Sequence, residues 1–166
     1  MNLIHSEIGW IRNRLLGEEF ESLGGNCVFA WLSFGTLDSP LASVMYLRTG
    51  KAVSNSISER HTFHIQCTFY FLDYSENMTE LDWKTDQSIF DRIGSCCSGH
   101  RVNDVSIGEY DHDQYLAIEL DNGCEFEICI FEAEEDVETW RFIDFSDNPP
   151  SHMACFGMAI KANGNH

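Results

Sequence analysis

The chain has 166 residues and a formal net charge of −17, from 27 acidic and 10 basic side chains. This charge argues against direct binding of DNA or RNA, because contacts to phosphates require a basic surface, and against docking on an anionic membrane for the same reason. Hydrophobic residues make up 43% of the chain and aromatic residues 13%, which is a globular composition rich in residues that favour strands. The length predicts a single domain over 1–166, with two similar halves, about 1–83 and 84–166, as the alternative.

The first residues of the chain bear on its compartment. The segment from Met1 to Glu7 has neither the basic region nor the long apolar region of a signal peptide. No apolar run approaches the roughly 20 residues of a membrane span. We therefore expect a cytoplasmic protein whose seven cysteines are reduced.

The first half of the chain starts with a helical pattern and continues with strands. Residues 7–16 predict a short helix, with Ser6 as its N-cap and Gly17 after its end. Three apolar residues share one face of this helix: Ile8, Ile11 and Leu15. Three apolar segments predict strands, the first of them central in a sheet: Cys27–Phe34, Val44–Leu47 and Phe63–Leu72.

The second half repeats this mixture. Thr85 and Asp86 predict the start of a helix that ends at Ile93, before Gly94. Two later segments predict strands, on either side of a break at residues 148–150: Trp140–Phe145 and Met153–Ile160. Together the patterns predict an α+β fold that is mostly β, built from antiparallel hairpins with one or two short helices.

Residues 115–131 show the clearest strand pattern. Segments 115–120 and 124–130 both alternate apolar and polar residues. A three-residue Asp-Asn-Gly turn keeps the apolar residues of both arms on one face, because it pairs Leu120 with Cys124. A two-residue turn would mix the two faces. We therefore predict a hairpin with a type I turn and Gly123 at the left-handed bulge position.

The sequence shows little evidence of a catalytic site or a metal site. The chain contains no GxSxG, P-loop or GxGxxG motif. His61, His64 and Cys67 have a spacing that would place them on one face of a helix, but their segment favours a strand, on which the two histidines point to opposite faces. The segment Asp111–Asp113 favours a polar loop. The sequence thus predicts no catalytic residues, metal ligands or cofactor, although a nucleophilic cysteine paired with a histidine stays open.

Acidic residues are distributed unevenly. Residues 1–83 carry 10 acidic and 5 basic side chains, whereas residues 84–166 carry 17 and 5. Between Asp104 and Asp147 there are 15 acids and one base, Arg141. Acidic residues that served only solubility would be distributed more evenly along the chain. The asymmetry therefore favours an acidic surface that binds a basic partner. A smaller acidic group, which could extend that surface, follows the third strand segment: Asp73, Glu76, Glu80 and Asp82.

Several segments carry a family resemblance. They are LGE and CVFAWLSFG in the first half, GHRV and YLAIELDNGCEFEI in the second, and the acidic stretch that leads into Glu138-Thr139-Trp140-Arg141. The chain resembles a set of small bacterial β-rich domains that occur beside polymorphic toxins and act in contact-dependent growth inhibition. The resemblance implies an immunity protein that binds and blocks a cognate toxin domain, and it brings no catalytic residues.

Charge and resemblance together predict that this protein neutralises a basic toxin domain, a nuclease rather than a pore former. We expect the interface at nine residues: Glu109, Tyr110, Asp111, Asp113, Glu132, Glu134, Glu135, Asp136 and Glu138. For Trp140, packing in the core is at least as plausible as a role as an interface anchor. The alternative function is a non-catalytic β domain that binds a small molecule in an aromatic-lined pocket.

Overall fold

The computed structural model describes residues 3–46, 51–130, 137–156 and 159–163. Within these ranges the chain forms two helices, α1 (Leu3–Leu15) and α2 (Gln87–Cys97). The strands are β1 (Phe20–Gly25), β2 (Ala30–Tyr46), β3 (Ala52–Ile65), β4 (Phe69–Leu72), β5 (Met78–Leu81), β6 (Val102–Tyr110), β7 (Asp113–Leu120), β8 (Glu125–Cys129), β9 (Glu138–Asp144), β10 (Ser151–Phe156) and β11 (Ala159–Asn163).

The strands form two antiparallel sheets. The first sheet has the order β1-β2-β3-β9-β10-β11, and the second has the order β5-β4-β8-β7-β6. Every strand pair is antiparallel, which confirms the predicted α+β, mostly β fold with short helices. Each sheet contains strands from both 1–83 and 84–166, so the boundary at residue 83 does not separate the sheets.

One cluster of buried side chains includes residues of both sheets and both helices. From the first sheet, Phe63 and Trp140 pack edge to face with ring centroids 5.9 Å apart. Phe20 of β1 stacks on Phe126 of β8, with ring centroids 6.3 Å apart and nearly parallel planes. This contact brings the inner faces of the two sheets together, so the opposite face of the second sheet is left for polar side chains.

The predicted β7–β8 hairpin is confirmed. The amide of Leu120 donates to the carbonyl of Cys124 over 2.8 Å, and Gly123 has a φ of 84°. Ile118 pairs with Phe126, and both side chains are fully buried. The Asp-Asn-Gly turn therefore sets the register that puts the apolar residues of both arms into the core.

Helix α1 differs from its prediction mainly at its start, and it ends at Leu15, one residue earlier than predicted. It begins at Leu3, so Ser6 lies inside the helix and is not its N-cap. No helix-breaking residue precedes Ser6, so the first turn can form before it. The predicted inner face is confirmed, because Ile8, Ile11 and Leu15 are all buried, and Gly17 follows the helix with a φ of 79°.

The predicted strand over Phe63–Leu72 is wrong, because the chain changes sheets within it. Strand β3 ends at Ile65 in the first sheet, and β4 starts at Phe69 in the second. In the link, the amides of Gln66 and Cys67 donate to the carbonyl of Thr139 over 2.8 and 3.3 Å. Buried side chains keep an alternating spacing on both sides of the link, so hydrophobic periodicity does not reveal the change of sheet.

Other predicted boundaries also move. Residues Cys27 to Phe29 form a turn before β2, because the side chain of Asn26 accepts hydrogen bonds from the amides of Val28 and Phe29. The short strand predicted at 44–47 is the far end of β2, and Leu47 lies outside the described residues. The strand predicted at 153–160 is a pair, β10 and β11.

Helix α2 runs past its predicted end at Ile93. Gly94 lies inside the helix, which continues to the buried Cys97. A glycine in a helix costs only about 1 kcal/mol relative to alanine. Burial of Phe90, Ile93 and Cys97 on one face outweighs that cost.

The turn at Gly123 gives a prediction with a matched control. We expect Gly123→Ala to lower the free energy of unfolding by about 1 kcal/mol, because a Cβ is strained at positive φ. Gly94→Ala is the control, since Gly94 is helical and has open space around its Cα, and it should raise stability by about 0.5–1 kcal/mol. Urea denaturation of both variants measures the difference. Equal effects of both substitutions would contradict the assigned turn.

Candidate functional site

The hairpin tip between β6 and β7 brings four predicted interface residues together. They are Glu109, Tyr110, Asp111 and Asp113. Asp111 and His112 form a two-residue loop with φ values of 48° and 72°, as in the type I′ turns of tight hairpins. Tyr110 pairs with Asp113 across the hairpin, and its side chain is 79% exposed. The predicted polar loop at 111–113 is thus the exposed end of a hairpin and the start of β7.

The other predicted interface residues divide into two groups. Glu132, Glu134, Glu135 and Asp136 lie outside the described residues. Glu138 is described, and both of its carboxylate oxygens accept hydrogen bonds from Arg141, at 2.9 and 2.6 Å. The Glu138 carboxylate is thus already neutralised within the chain.

The second sheet also carries acidic residues that the interface prediction did not include. Glu119 of β7 lies directly opposite Glu125 of β8, and Glu127 follows on the same face of β8. The alternation of polar and apolar residues in β8 places Glu125 and Glu127 on the face away from the core. Their pairing with Glu119 depends on the register and could not be inferred from β8 alone. We call Glu119, Glu125 and Glu127 the glutamate ladder.

The environment of the glutamate ladder raises the pKa of Glu125 to about 7. Burial is the largest cause of this shift. The next causes are a hydrogen bond between the Glu125 and Glu127 carboxyl groups and the negative charges of Glu127 and Glu119. Like charges directly opposite one another destabilise a sheet. Full ionisation of these carboxyl groups therefore carries a cost, which a bound cation would relieve.

A cavity of about 320 Å³ opens on the same face of the second sheet, beside the hairpin tip. Its lining consists of Tyr70, Met78, Tyr110, Asp113, Gln114, Tyr115, Glu127 and Cys129. We call it the tyrosine pocket. Tyr70 lies opposite Glu127 in the β4–β8 pairing, so the pocket and the glutamate ladder share one carboxylate. Only Tyr110 and Asp113 of this set were among the predicted interface residues. Tyr70, Met78, Glu127 and Cys129 are distant from them in sequence and reach the pocket through strand pairing.

The smaller acidic group that follows Phe63–Leu72 has mainly local roles. The carboxylate of Asp73 accepts hydrogen bonds from the amides of Ser75 and Asn77 and so forms the β4–β5 turn. Hydrogen bonds from Asn77 are the main cause that lowers the pKa of Asp73. Asp82 accepts from the amide of Lys84 in the next turn. Glu80 lies opposite Tyr70 in the β4–β5 pairing.

A second candidate site lies between α1 and the first sheet. His61 is 3% exposed and stands between two carboxylates. Its Nδ1 lies 3.5 Å from Asp144 Oδ1, and its Nε2 lies 3.6 Å from Glu18 Oε1. Arg14 donates to Asp144 over 2.8 Å, and Arg60 donates to Glu18 over 3.0 Å. These five residues line an open cleft of about 780 Å³, which we call the polar cleft.

Each of the two carboxylates beside His61 is paired with an arginine. Burial lowers the pKa of His61, although Asp144 and Glu18 oppose this shift. Burial pushes the pKa of Asp144 upward, but hydrogen bonds from Ser146 and Arg14 and the charge of His61 outweigh it, so the pKa is lowered. The two carboxylates face different nitrogens of one ring. His61 therefore cannot share a single metal ion with both.

The predicted separation of His61 and His64 is confirmed. His61 faces the polar cleft, whereas His64 stacks on Phe29 with ring centroids 4.1 Å apart. Burial is the main cause that lowers the pKa of His64 to about 4. Within the described ranges, no group of three or more histidine, cysteine, aspartate or glutamate side chains is arranged to hold a metal ion.

Burial makes three of the cysteines poor nucleophiles. It raises the pKa of Cys155 to about 11, and it also raises the pKa values of Cys97 and Cys124. A thiol reacts as its thiolate, so these thiols are largely unreactive near neutral pH. Cys27 and Cys96 are exposed.

Comparison with protein families, curated proteins and solved structures found no match to this chain. Neither α1 nor α2, the helices of the described ranges, is long and apolar enough to cross a membrane. Function must therefore be inferred from the sites themselves.

The glutamate ladder gives a prediction about proton binding. We expect Glu127→Gln to lower the pKa of Glu125 from about 7 toward its usual range, because the variant removes a neighbouring charge and the carboxyl pair. The pKa should stay above that of a free glutamate, because burial persists. Carboxyl ¹³C NMR titration measures the shift, with Glu21→Gln on β1 as the control. An unchanged pKa would mean that burial alone sets it.

The polar cleft gives a prediction about stability. Arg14→Met leaves the Asp144 carboxylate, whose side chain is 3% exposed, without its cation, and we expect a loss of about 2–4 kcal/mol. Arg12 on the same helix pairs with Asp104, and both side chains are more than 40% exposed. Arg12→Met should cost less than about 1 kcal/mol. Urea denaturation compares the two variants, and equal losses would argue against a structural role of the buried pair.

Proposed function

We propose that this chain is an immunity-type inhibitor that binds a basic toxin domain, a nuclease, through the outer face of the second sheet. The observation that carries the proposal is the convergence of three features on that face: the hairpin tip, the glutamate ladder and the tyrosine pocket. Two of the predicted interface residues, Tyr110 and Asp113, lie in the tyrosine pocket. The proposal rests on described residues and does not require the acidic segment 131–136.

A basic partner fits the chemistry of this face. A nuclease holds phosphates in a basic cleft, and carboxylates can occupy the same positions. Complementary charge raises the association rate by roughly 10- to 1,000-fold and disfavours partners of the wrong sign. Tyrosine supplies large rigid contacts that recur at the energetic centres of protein interfaces. The outer face of the second sheet combines negative charge with tyrosine side chains, because its carboxylates lie around a tyrosine-lined cavity.

Partner capture tests the proposal directly. The tagged chain is co-expressed with the toxin-sized domain encoded beside it, and the purified complex is measured at low and high salt. We expect a stoichiometric complex whose affinity falls as salt rises. A charge-reversed variant, with Glu80, Asp113, Glu119 and Glu127 all changed to lysine, should bind about 100-fold more weakly.

The control variant reverses the same number of charges elsewhere. Glu21, Glu59, Asp86 and Asp91 lie on the first sheet or around α2, and their change to lysine should affect affinity less than about threefold. Equal weakening by both variants would assign the effect to net charge and would overturn the proposed face. Failure to capture any basic domain would overturn the immunity function.

The polar cleft supports a second candidate, a domain that binds a small molecule. Its volume of about 780 Å³ suits such a ligand, and the buried Nδ1 of His61 makes no hydrogen bond within the described residues, where Asp144 Oδ1 lies 3.5 Å away. Native mass spectrometry of the purified chain distinguishes the two candidates. A retained small molecule that is lost in His61→Phe would favour this function over the inhibitor.

A further inference from the structure

The walls of the tyrosine pocket come from separate strands. Tyr70 on β4 and Tyr115 on β7 stand on either side of β8, and Tyr110 closes the end at the hairpin tip. Met78 adds an apolar edge with 59% of its side chain exposed. A volume of about 320 Å³ is at the small end of ligand sites, so it suits one long side chain better than a folded segment.

Gly108 sets the position of the Tyr115 ring. The two residues are opposite one another in the β6–β7 pairing, and a Cβ at Gly108 would collide with the Tyr115 ring. The ring therefore lies across the glycine. A larger residue at position 108 would have to displace this wall of the pocket.

The charge of the tyrosine pocket is negative. Glu127 lies opposite Tyr70, and Asp113 lies opposite Tyr110, so each carboxylate is next to an aromatic ring. None of the residues that line the pocket is basic. Aromatic faces and carboxylates both attract cations, and a weakly hydrated cation gains most from the combination.

We propose that the tyrosine pocket receives an arginine side chain of the partner, with the guanidinium between the tyrosine rings and the carboxylates of Glu127 and Asp113. Arginine fits better than lysine, because its planar group stacks on aromatic rings and binds carboxylates through two parallel hydrogen bonds, whereas the ammonium of lysine is a strongly hydrated point charge. This assignment rests on the proposed function, since it names the residue by which a basic partner is recognised at the same face.

A titration with small probes tests the pocket without a partner. Acetyl-arginine amide, acetyl-lysine amide and the uncharged acetyl-norleucine amide are added to the ¹⁵N-labelled chain, and amide shifts are followed by NMR. We expect the arginine probe to shift residues 110–115 and 127–129 and to bind at least threefold more tightly than the lysine probe. The norleucine probe should leave these residues unshifted.

Substitutions within the pocket sharpen the test. Glu127→Gln should weaken binding of the arginine probe about 10-fold, because it removes one charge-assisted partner. Tyr115→Leu and Gly108→Ala should each weaken it roughly 3- to 10-fold, the first by removing an aromatic face and the second by displacing it. Glu21→Gln on β1 is the control and should leave binding unchanged. An unperturbed spectrum outside the pocket shows that each variant is folded.

The outcomes separate this inference from the proposed function. Equal binding of the arginine and lysine probes, or binding that is insensitive to Glu127→Gln, would overturn the arginine assignment. Partner capture that is lost on charge reversal but unaffected by Glu127→Gln and Tyr115→Leu would also overturn it, while the proposed function stands. Binding of the arginine probe with no protein partner would support the pocket and overturn the inhibitor function.

Discussion

The arrangement of the two sheets depends on the indole of Trp140. This side chain, on β9 of the first sheet, is fully buried and donates a hydrogen bond to the carbonyl of Cys129, at the end of β8 in the second sheet. Cys155 on β10 makes a second contact of this kind, because its thiol lies 2.7 Å from the carbonyl oxygen of Ile130. A buried tryptophan needs a partner for its N–H, and here the partner is the backbone of the other sheet. Trp140 therefore belongs to the core and is not an exposed anchor.

The hydrogen bond of Trp140 also affects the position of the candidate site. Cys129 borders the tyrosine pocket, and Glu127 is two residues before it on β8. The hydrogen bond from Trp140 therefore holds the strand that carries the central carboxylate of the site. Rigid strands hold side chains more accurately than loops do, which suits a face that recognises charge. The polar cleft is different, because the carboxylates of Asp144 and Glu18 are already paired with Arg14 and Arg60 within the chain.

Local signals in the sequence were sufficient for some elements of the fold. The β7–β8 hairpin followed from alternation and the Asp-Asn-Gly turn, because both are properties of neighbouring residues. The inner face of α1 followed from helical spacing. The link at residues 66–68 could not be inferred, since alternation continues through it while the chain changes sheets. The start of α1 and the end of α2 each moved by about one turn, and at the end of α2 the burial of Cys97 decided over local propensity.

The residues of the candidate site also divide into those that local sequence could predict and those that it could not. Acidic residues at the hairpin tip could be found by charge alone. Tyr70 and Tyr115, by contrast, meet Glu127 only because β4 and β7 both pair with β8, and that order depends on long-range packing. The pairing of Glu119 with Glu125 needed the register of the hairpin as well as its pattern. Composition thus indicated the kind of partner, and strand order determined which residues face it.

The two histidines of β3 make this strand sensitive to acid from both faces. His61 and His64 have pKa values below the usual value of 6.5, so the unfolded chain takes up these protons before the folded one does. The stability that the neutral rings contribute is fully present above pH 6.5, the usual pKa of histidine. It is lost as the pH falls toward the lowered pKa values of the two histidines in the folded chain. Strand β3 joins the β1–β2 pair to β9 in the first sheet. Acidification therefore costs folding free energy at a strand in the middle of the first sheet, whereas the second sheet has no buried histidine among its described strands.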